Sequence, residues 1–537
     1  RHLAGQPIAA RPASRWYVAQ KFIRRNALPL GAATAVVIAL GIGLGIAGWQ
    51  WREATGQRAA AVDMLANSEA TLDFTRAVLM EGVRNDETIT MDELRSRSEA
   101  IAQQLGKNDA RTRAVAANFV ADWYISMNQF DKAEKLLTRT IDSLPADRHF
   151  LSTSSLTCAR ASAWAQLGRN DEAIAVLTRE IERNRNDAAR ITFCLQVRAE
   201  IARASGDTKG ALAYNLQALR RFDEAGLRSL RDKAVLLAQI GAAYSLNNTP
   251  DQAHAYFGQS FRLFEQTGRA DSLDAGAVLN NWGTVVFDAG DPLRARALFE
   301  RAIAVKQRRS PTDEPPEYAT ANIAYVLRTL ARYPEATAAY DTLQRLGERS
   351  GNVSSEAYAL VGKARIATLL RHFDQAQDFL NVAAAKILEG RMPAGDPAVR
   401  GLKVAQGQVW AAQGRLTDAA AILTEALDSY AKLGCCSGTR SQALIARAGV
   451  ATANHQLGAA LDDAQQALEL AQKAQGRMPF SFHTGNAWLM LGRLHQAQGR
   501  GEEARQAYAL AAQHLANTLG GQHPDTLQAS RGMATVH

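Results

Sequence analysis

The sequence predicts an all-α protein: a right-handed α-solenoid of about ten helical hairpins preceded by one transmembrane helix. Three observations lead there. An alanine recurs at a spacing near 41 residues from Ala133 to Ala504. Residues 27–51 carry no charge and are almost wholly apolar. Only 14 prolines and 7% aromatic residues accompany a hydrophobic content of 47%, a balance that suits closely stacked helices better than sheets or disordered chain. A chain of 537 residues also exceeds one ordinary core, so it divides into domains or repeats.

Residues 1–26 form a basic segment. Arg1, Arg11, Arg15, Lys21, Arg24 and Arg25, with no acid among residues 1–25, account for +6 of the net charge of +9 and leave +3 for everything else. The excess positive charge therefore belongs to one end of the chain. It forms no basic groove, and nucleic acid is disfavoured as a partner.

Residues 27–51 are long enough, at about 1.5 Å per residue, to cross a hydrocarbon core of about 30 Å as a helix. Trp49 and Trp51 mark the far interface. A cleaved signal peptide is the rival reading, but the apolar run is longer than such a peptide needs and no small-residue cleavage site precedes Arg52. Lys21, Arg24 and Arg25 place the N-terminus in the cytoplasm, and residues 52–537 then lie outside it, at the inner membrane of a diderm bacterium in the periplasm. Gly43, Gly45 and Gly48 imitate a nucleotide-binding glycine pattern, but they fall inside the apolar run rather than between a strand and a helix. Gly41 and Gly45 instead make a small-residue face on which two such helices can pair as a homodimer, the alternative being that they are simple apolar filler.

Residues 52–112 read as a helical connector and cap. Ala59 to Val83 carry an apolar stripe, residues 86–91 a polar turn, and Thr90 with Glu93 a helix start.

Residues 113–537 are the repeat domain. The marker alanines are Ala133, Ala173, Ala211, Ala253, Ala295, Ala336, Ala376, Ala419, Ala460 and Ala504, at spacings from 38 to 44. Twelve residues before each stands alanine or glycine: Ala121, Ala161, Ala199, Gly241, Gly283, Ala324, Ala364, Gly407, Ala448 and Gly492. Small residues at both places let two helices cross closely. Gly168, Gly206, Gly290, Gly414 and Gly499 mark turns within the hairpins. The stretches Leu279-Asn-Asn-Trp-Gly-Thr-Val-Val286 with Ala295, Phe299 and Ala302, and Trp488-Leu-Met-Leu-Gly492 with Ala504, Tyr508 and Ala511, resemble the tetratricopeptide repeat. The period near 41 resembles its longer variety, and Leu519-Gly-Gly-Gln-His-Pro-Asp-Thr-Leu527 is similar to the linker between such repeats. Arg160, Arg198 and Lys363 depart from the pattern, standing where leucine is usual.

No phosphate-binding loop, zinc-protease helix, serine nucleophile elbow or kinase catalytic loop occurs in the sequence, so it names no catalytic residue, cofactor or metal. Cys158, Cys194, Cys435 and Cys436 lack metal-ligand spacing; a vicinal bond in the last pair, a bridge between the first pair, and free thiols all stay open. What the tetratricopeptide resemblance implies is binding of a protein or peptide by solvent-facing residues of the first helix of each hairpin. Matching positions are Asn118 and Asp122; Gln196, Glu200 and Arg203; Asn280; Tyr325 and Arg328; Arg365; and Asn486 with Arg493. Their mixed charge suits a peptide or protein segment better than one strongly charged ligand.

The segments Leu3-Ala-Gly-Gln-Pro-Ile8, Ala10-Arg-Pro12, Tyr17 and Lys21-Phe-Ile-Arg-Arg25, followed by an apolar helix and long repeats, resemble the tail of bacterial serine/threonine protein kinases. That resemblance implies a cytoplasmic kinase domain before Arg1 and a sensing or scaffolding role for the repeats. A chain that begins on Arg1 reads as part of a longer protein. A membrane-tethered assembly factor, or a transcriptional regulator with a further N-terminal domain, is the alternative.

Overall fold

In the computed structural model the described residues are 15–83, 91–105, 107, 109–145, 151–227, 229–309, 314–433 and 436–535. Of the expected polar turn at residues 86–91 only Met91 is described, and it begins a helix; residues 86–90 with the helix-capping Thr90, Cys435 and the segment 3–12 lie outside the described residues. The described residues form helices joined by turns and divide into two compact units, residues 1–163 and 164–537.

In the first unit α1 (Arg15–Arg25) is followed by α2 (Ala27–Val83), α3 (Met91–Leu105), α4 (Ala110–Ser126) and α5 (Phe130–Ser143), and α6 (Leu151–Gln166) runs across the boundary. Within α2, Ala35–Arg52 is long and apolar enough to cross a membrane, and none of it is buried. The helix does not stop at Trp51. It continues to Val83, 57 residues in all and about 85 Å long. Its C-terminal half packs on α3 and α4: Phe74 is fully buried and meets Phe119 edge-on at 5.5 Å, and Arg111 donates to Asn67 at 3.2 Å. Tyr124 and Arg139 from the first hairpin both reach Glu99 of α3. The end of α2 and α3 thus cover the apolar flank of that hairpin, which has no repeat before it.

The second unit continues as α7 (Asn170–Arg183), α8 (Ala188–Ala204), α9 (Thr208–Glu224), α10 (Leu230–Leu246), α11 (Pro250–Gln266), α12 (Leu273–Asp288), α13 (Pro292–Arg309), α14 (Glu317–Thr329) and α15 (Tyr333–Ser350). It ends with α16 (Val353–Leu369), α17 (Phe373–Glu389), α18 (Pro397–Ala412), α19 (Leu416–Leu433), α20 (Ser437–Ala453), α21 (Leu457–Gln475), α22 (Phe482–Ala497), α23 (Gly501–Thr518) and α24 (Pro524–Thr535). Even-numbered helices from α4 to α22 are first helices and odd-numbered ones second helices, and α24 follows the last hairpin.

Every marker alanine is buried to within 1% of completely. Where the facing position is glycine the second helix brings a large residue: a Cβ on Gly241, Gly283, Gly407 or Gly492 would lie 2.5 to 3.0 Å from Phe257, Phe299, Leu423 or Tyr508 respectively. These crossings are matched by volume, in the manner of close-packed interiors. Five residues before each marker the chain turns left-handed. Glycine does this at 168, 206, 290, 414 and 499, with φ from 73° to 101°, and Asn128, Asn248, Ala331, Arg371 and His455 do it with φ from 54° to 63°. Helix starts are capped by side chains, among them Asp109, Asp187, Ser229, Ser272 and Ser481. Two of the departures from the leucine pattern are accommodated. Arg198 donates to the Tyr214 hydroxyl at 3.1 Å, and the Lys363 ammonium lies 2.8 Å from Asp341.

The second unit also closes on itself. The start of α20 and the turn before α22 meet the C-terminal end of α12. Thr439 N–H donates to Asp288 at 3.3 Å, the Phe482 amide to the Gly290 carbonyl at 2.9 Å, and the Ser437 hydroxyl to Asn248 at 2.9 Å. Phe287 sits between Tyr325 and Phe482, at ring separations of 4.8 and 5.5 Å. A Cβ on Gly438 would fall 2.4 Å from the Asp288 carbonyl and 2.6 Å from His483. His523, in the linker before α24, reaches the Thr329 carbonyl at 3.1 Å. The ninth and tenth hairpins therefore rest on the fourth to sixth, and the helices between them enclose an interior.

Candidate functional site: cavities along the first helices

Cavities in the second unit follow the first helices in sequence. One of about 410 Å³ lies along α8, α10 and α12, with Glu200, Arg203, Gln239, Asn281 and Thr284 on its wall. A second, about 250 Å³, is bounded by α10, α12, α14 and the start of α20, and holds Thr284, Asp288, Asn322, Tyr325 and Thr439. A third, about 160 Å³, lies among α14, α16, α18 and α20. Tyr325, Tyr358, Cys436 and Thr439 line both the second and the third, so those two adjoin.

The residues expected to face a ligand fall into separate groups. Asn118 and Asp122 belong to the first unit, where their side chains approach each other at 3.5 Å. Glu200 and Arg203 line the first cavity; burial pushes the Glu200 carboxyl up from its usual range, against the pull of Arg203. Gln196 and Asn280 do a second job. Gln196 donates to Gln239 at 3.1 Å and Asn280 accepts from Asn322 at 2.9 Å, and in both cases the bond joins one first helix to the next. Asn280 is buried. Asn486 is half-buried on α22, and Arg493 on the same helix donates to Gln528 of α24.

Tyr325, Arg328 and Arg365 come together in the third cavity. Tyr325 and Arg365 stand eleven residues before their marker alanines, so successive first helices present them to one space. Tyr340, from the second helix α15, passes between α14 and α16 because Gly362 leaves room: a Cβ there would lie 2.2 Å from the ring. It lines the third cavity together with Arg328. The Arg328 guanidinium lies over the Tyr325 ring at 4.7 Å, and that of Arg400 over the Tyr430 ring at 5.2 Å. Burial pushes the Tyr430 hydroxyl up to about 12 and Tyr358 higher still, so both stay protonated at neutral pH. Arg400, Tyr340, Tyr358 and Tyr430 were not foreseen. Arg400 stands 19 residues before its marker alanine, one residue earlier than Asn486 stands before its own; Tyr358 shares the phase of Asn486, and Tyr340 and Tyr430 belong to second helices.

Among solved structures the chain resembles helical repeat proteins. A Rap protein complexed with competence and sporulation factor matches with a TM-score of 0.50 and 14% identity, over 67% of this chain and 98% of that one. Aspartyl phosphate phosphatase F from Bacillus subtilis gives a TM-score of 0.43 at 13% identity, over 73% and 97%. A tetratricopeptide repeat protein from Parabacteroides merdae gives 0.33 at 14% identity, over 56% and 98%. At such identities the likeness is one of fold, and the fold is a helical repeat scaffold of the tetratricopeptide kind. No family model matches the sequence, and no curated protein matches it.

Proposed function

We propose that this chain is a membrane-anchored interaction scaffold whose first-helix face takes a peptide or protein segment. The observation that carries this reading is the run of cavities along consecutive first helices, walled by tyrosine, arginine and amide side chains. Tyrosine and arginine give contact area and directional hydrogen bonds together, which is the chemistry of a peptide groove. That a Rap protein of similar fold was crystallised with competence and sporulation factor is in keeping with it.

The reading extends to the anchor. Residues 27–51 hold the chain in an inner membrane, the basic segment stays in the cytoplasm and the repeats lie outside, as the distribution of Lys and Arg favours. The parent is then a receptor-like bacterial serine/threonine protein kinase; a membrane-tethered assembly factor or regulator is the alternative, and the reading frame upstream of Arg1 distinguishes them. Protease added to spheroplasts should digest the repeats; their survival overturns the orientation.

Binding has its own test. The full chain, immobilised in mild detergent, should retain members of a randomised dodecapeptide pool. Thr284→Trp, which fills the junction of two cavities from an exposed position, should cut retention by roughly tenfold or more. Equal retention by the variant, or none by the native chain, overturns the groove.

A further inference from the structure

Beyond the apolar segment α2 is apolar on two opposite sides. One side is covered: Ala70 and Phe74 are buried, and Val78 packs with Phe74 in the core of the first unit. The other is open. Val62, Leu65, Leu72 and Leu79 stand there, each between 59% and 66% exposed. Their spacings are 3, 7 and 7 residues, which on a helix places them along one strip, on the side away from Phe74. Exposed leucines scattered singly are ordinary, whereas a continuous strip of them marks a contact surface. The spacing is that of a coiled coil, with Val62 at the first apolar place of the heptad and the three leucines at the second. Glu69 and Arg76, both exposed, hold the first place in the next two heptads. The strip runs back through Trp51, Leu44 and Val37, which are exposed and seven residues apart, and Thr55 and Arg58 interrupt it just past the apolar segment. Gly41 stands on the same strip, and Gly45 one position off it.

We infer that α2 pairs with α2 of a second copy of this chain as a parallel, two-stranded coiled coil. A second copy is the occupant because a heptad strip is self-complementary when two helices lie parallel and level, each leucine meeting its own counterpart. Two chains that cross one membrane by the same segment are held in that arrangement; this point rests on the anchor reading above. Valine at the first place with leucine at the second favours two strands over three or four. Glu69 and Arg76 each meet their own counterpart in this register, so like charges weaken the pairing and keep it reversible. Val37 to Leu79 spans about 65 Å, and a strip about 10 Å wide along it covers about 650 Å² of each copy. The total, about 1,300 Å², is within the range of stable interfaces. Because the open side lies opposite the covered one, pairing leaves α3 in place over the first hairpin.

The test uses the full chain in mild detergent, and the native chain, with its own cysteines, sets the background. Under a mild oxidant Leu65→Cys, Leu72→Cys and Leu79→Cys should each link to its counterpart. Thr71→Cys, exposed about a third of a turn away, should link about tenfold less, because a disulfide needs Cα atoms within about 7 Å. Sedimentation should show two copies per particle. Glu69→Val, which completes one apolar layer, should shift the equilibrium toward dimer by about tenfold or more. Equal linking at all four positions, linking at none above background, an equilibrium unmoved by Glu69→Val, or particles of three or more copies overturns the two-stranded seam. Linking of Leu65→Cys to Leu79→Cys in a mixture, when neither links to itself, overturns the parallel arrangement. Extraction of cell membranes with alkaline carbonate reads the anchor separately: chains that wash off, yet link at residues 65, 72 and 79, overturn the anchor and leave the pairing standing.

Discussion

Five residues before each marker alanine the backbone turns left-handed, a conformation that costs an ordinary L-residue about 1–2 kcal/mol. Arg371 and Ala331 bear that cost with φ of 63° and 57°. Arg371→Gly should therefore raise stability by about 0.5–1 kcal/mol after the extra chain entropy of glycine is subtracted, and Gly168→Ala should lower it by a similar amount; denaturant titration of the two variants checks the sign. A second residue-scale effect sits where α12 meets α20 and α22. Burial pushes the Asp288 carboxyl up to about 6, outweighing the amides of Thr439 and Gly438, and burial pushes the fully enclosed His483 imidazole down to about 3. The signs oppose. A raised carboxyl pKa favours the folded state below about pH 4 and loses that advantage as pH rises through 6. A depressed imidazole pKa costs stability as pH falls below the unfolded value near 6.5. Asp288→Asn should thus leave stability rising with pH between about 4 and 6, and His483→Gln should leave it falling over the same window, each compared with the native chain by melting at pH 4, 5 and 6.

At the scale of the helix, the hairpins were legible because their packing leaves a local, periodic trace. A helix crossing needs small residues on both sides, so Ala295 and Gly283 appear in the sequence at a fixed separation, and the structure puts Phe299 against the glycine. The turn was half legible, since Gly290 announces a left-handed residue and Arg371 in the same conformation does not. Site residues followed the same logic. Tyr325, Arg328 and Arg365 could be found by repeat phase. Arg400 could not, because at the start of α18 it occupies a place that is filled by buried Ala357 in α16. Asn280 and Gln196 have the right phase, yet each also bridges neighbouring first helices. The pairing of Asp288 with Thr439 left no trace at all, for one contact across about 150 residues has no period to detect.

Across the second unit, that closing contact alters how stability is shared. An open array of hairpins gains its stability from nearest neighbours, so its ends fray independently of its middle. Here Gly438 lies against Asp288 and His483, and the ninth and tenth hairpins are tied to the fourth, fifth and sixth. Gly438→Ala should destabilise by about 1–3 kcal/mol through overpacking. Hydrogen exchange should then quicken together in α12, α20 and the start of α22 while α8 and α9 stay protected. Faster exchange confined to α20 would show that the contact carries no coupling.

The same contact has a consequence for synthesis. Phe287 and Gly290 leave the ribosome about 190 residues before Phe482 and His483, which at roughly 5–20 residues per second is an interval of about 10–40 s. Throughout that time the side of Phe287 that meets Phe482 stays open to water, while Tyr325 covers the other. Such a surface favours aggregation of the nascent chain, and a ribosome stalled between α13 and α21 would release a product whose earlier hairpins are folded and whose adhesive patch is open.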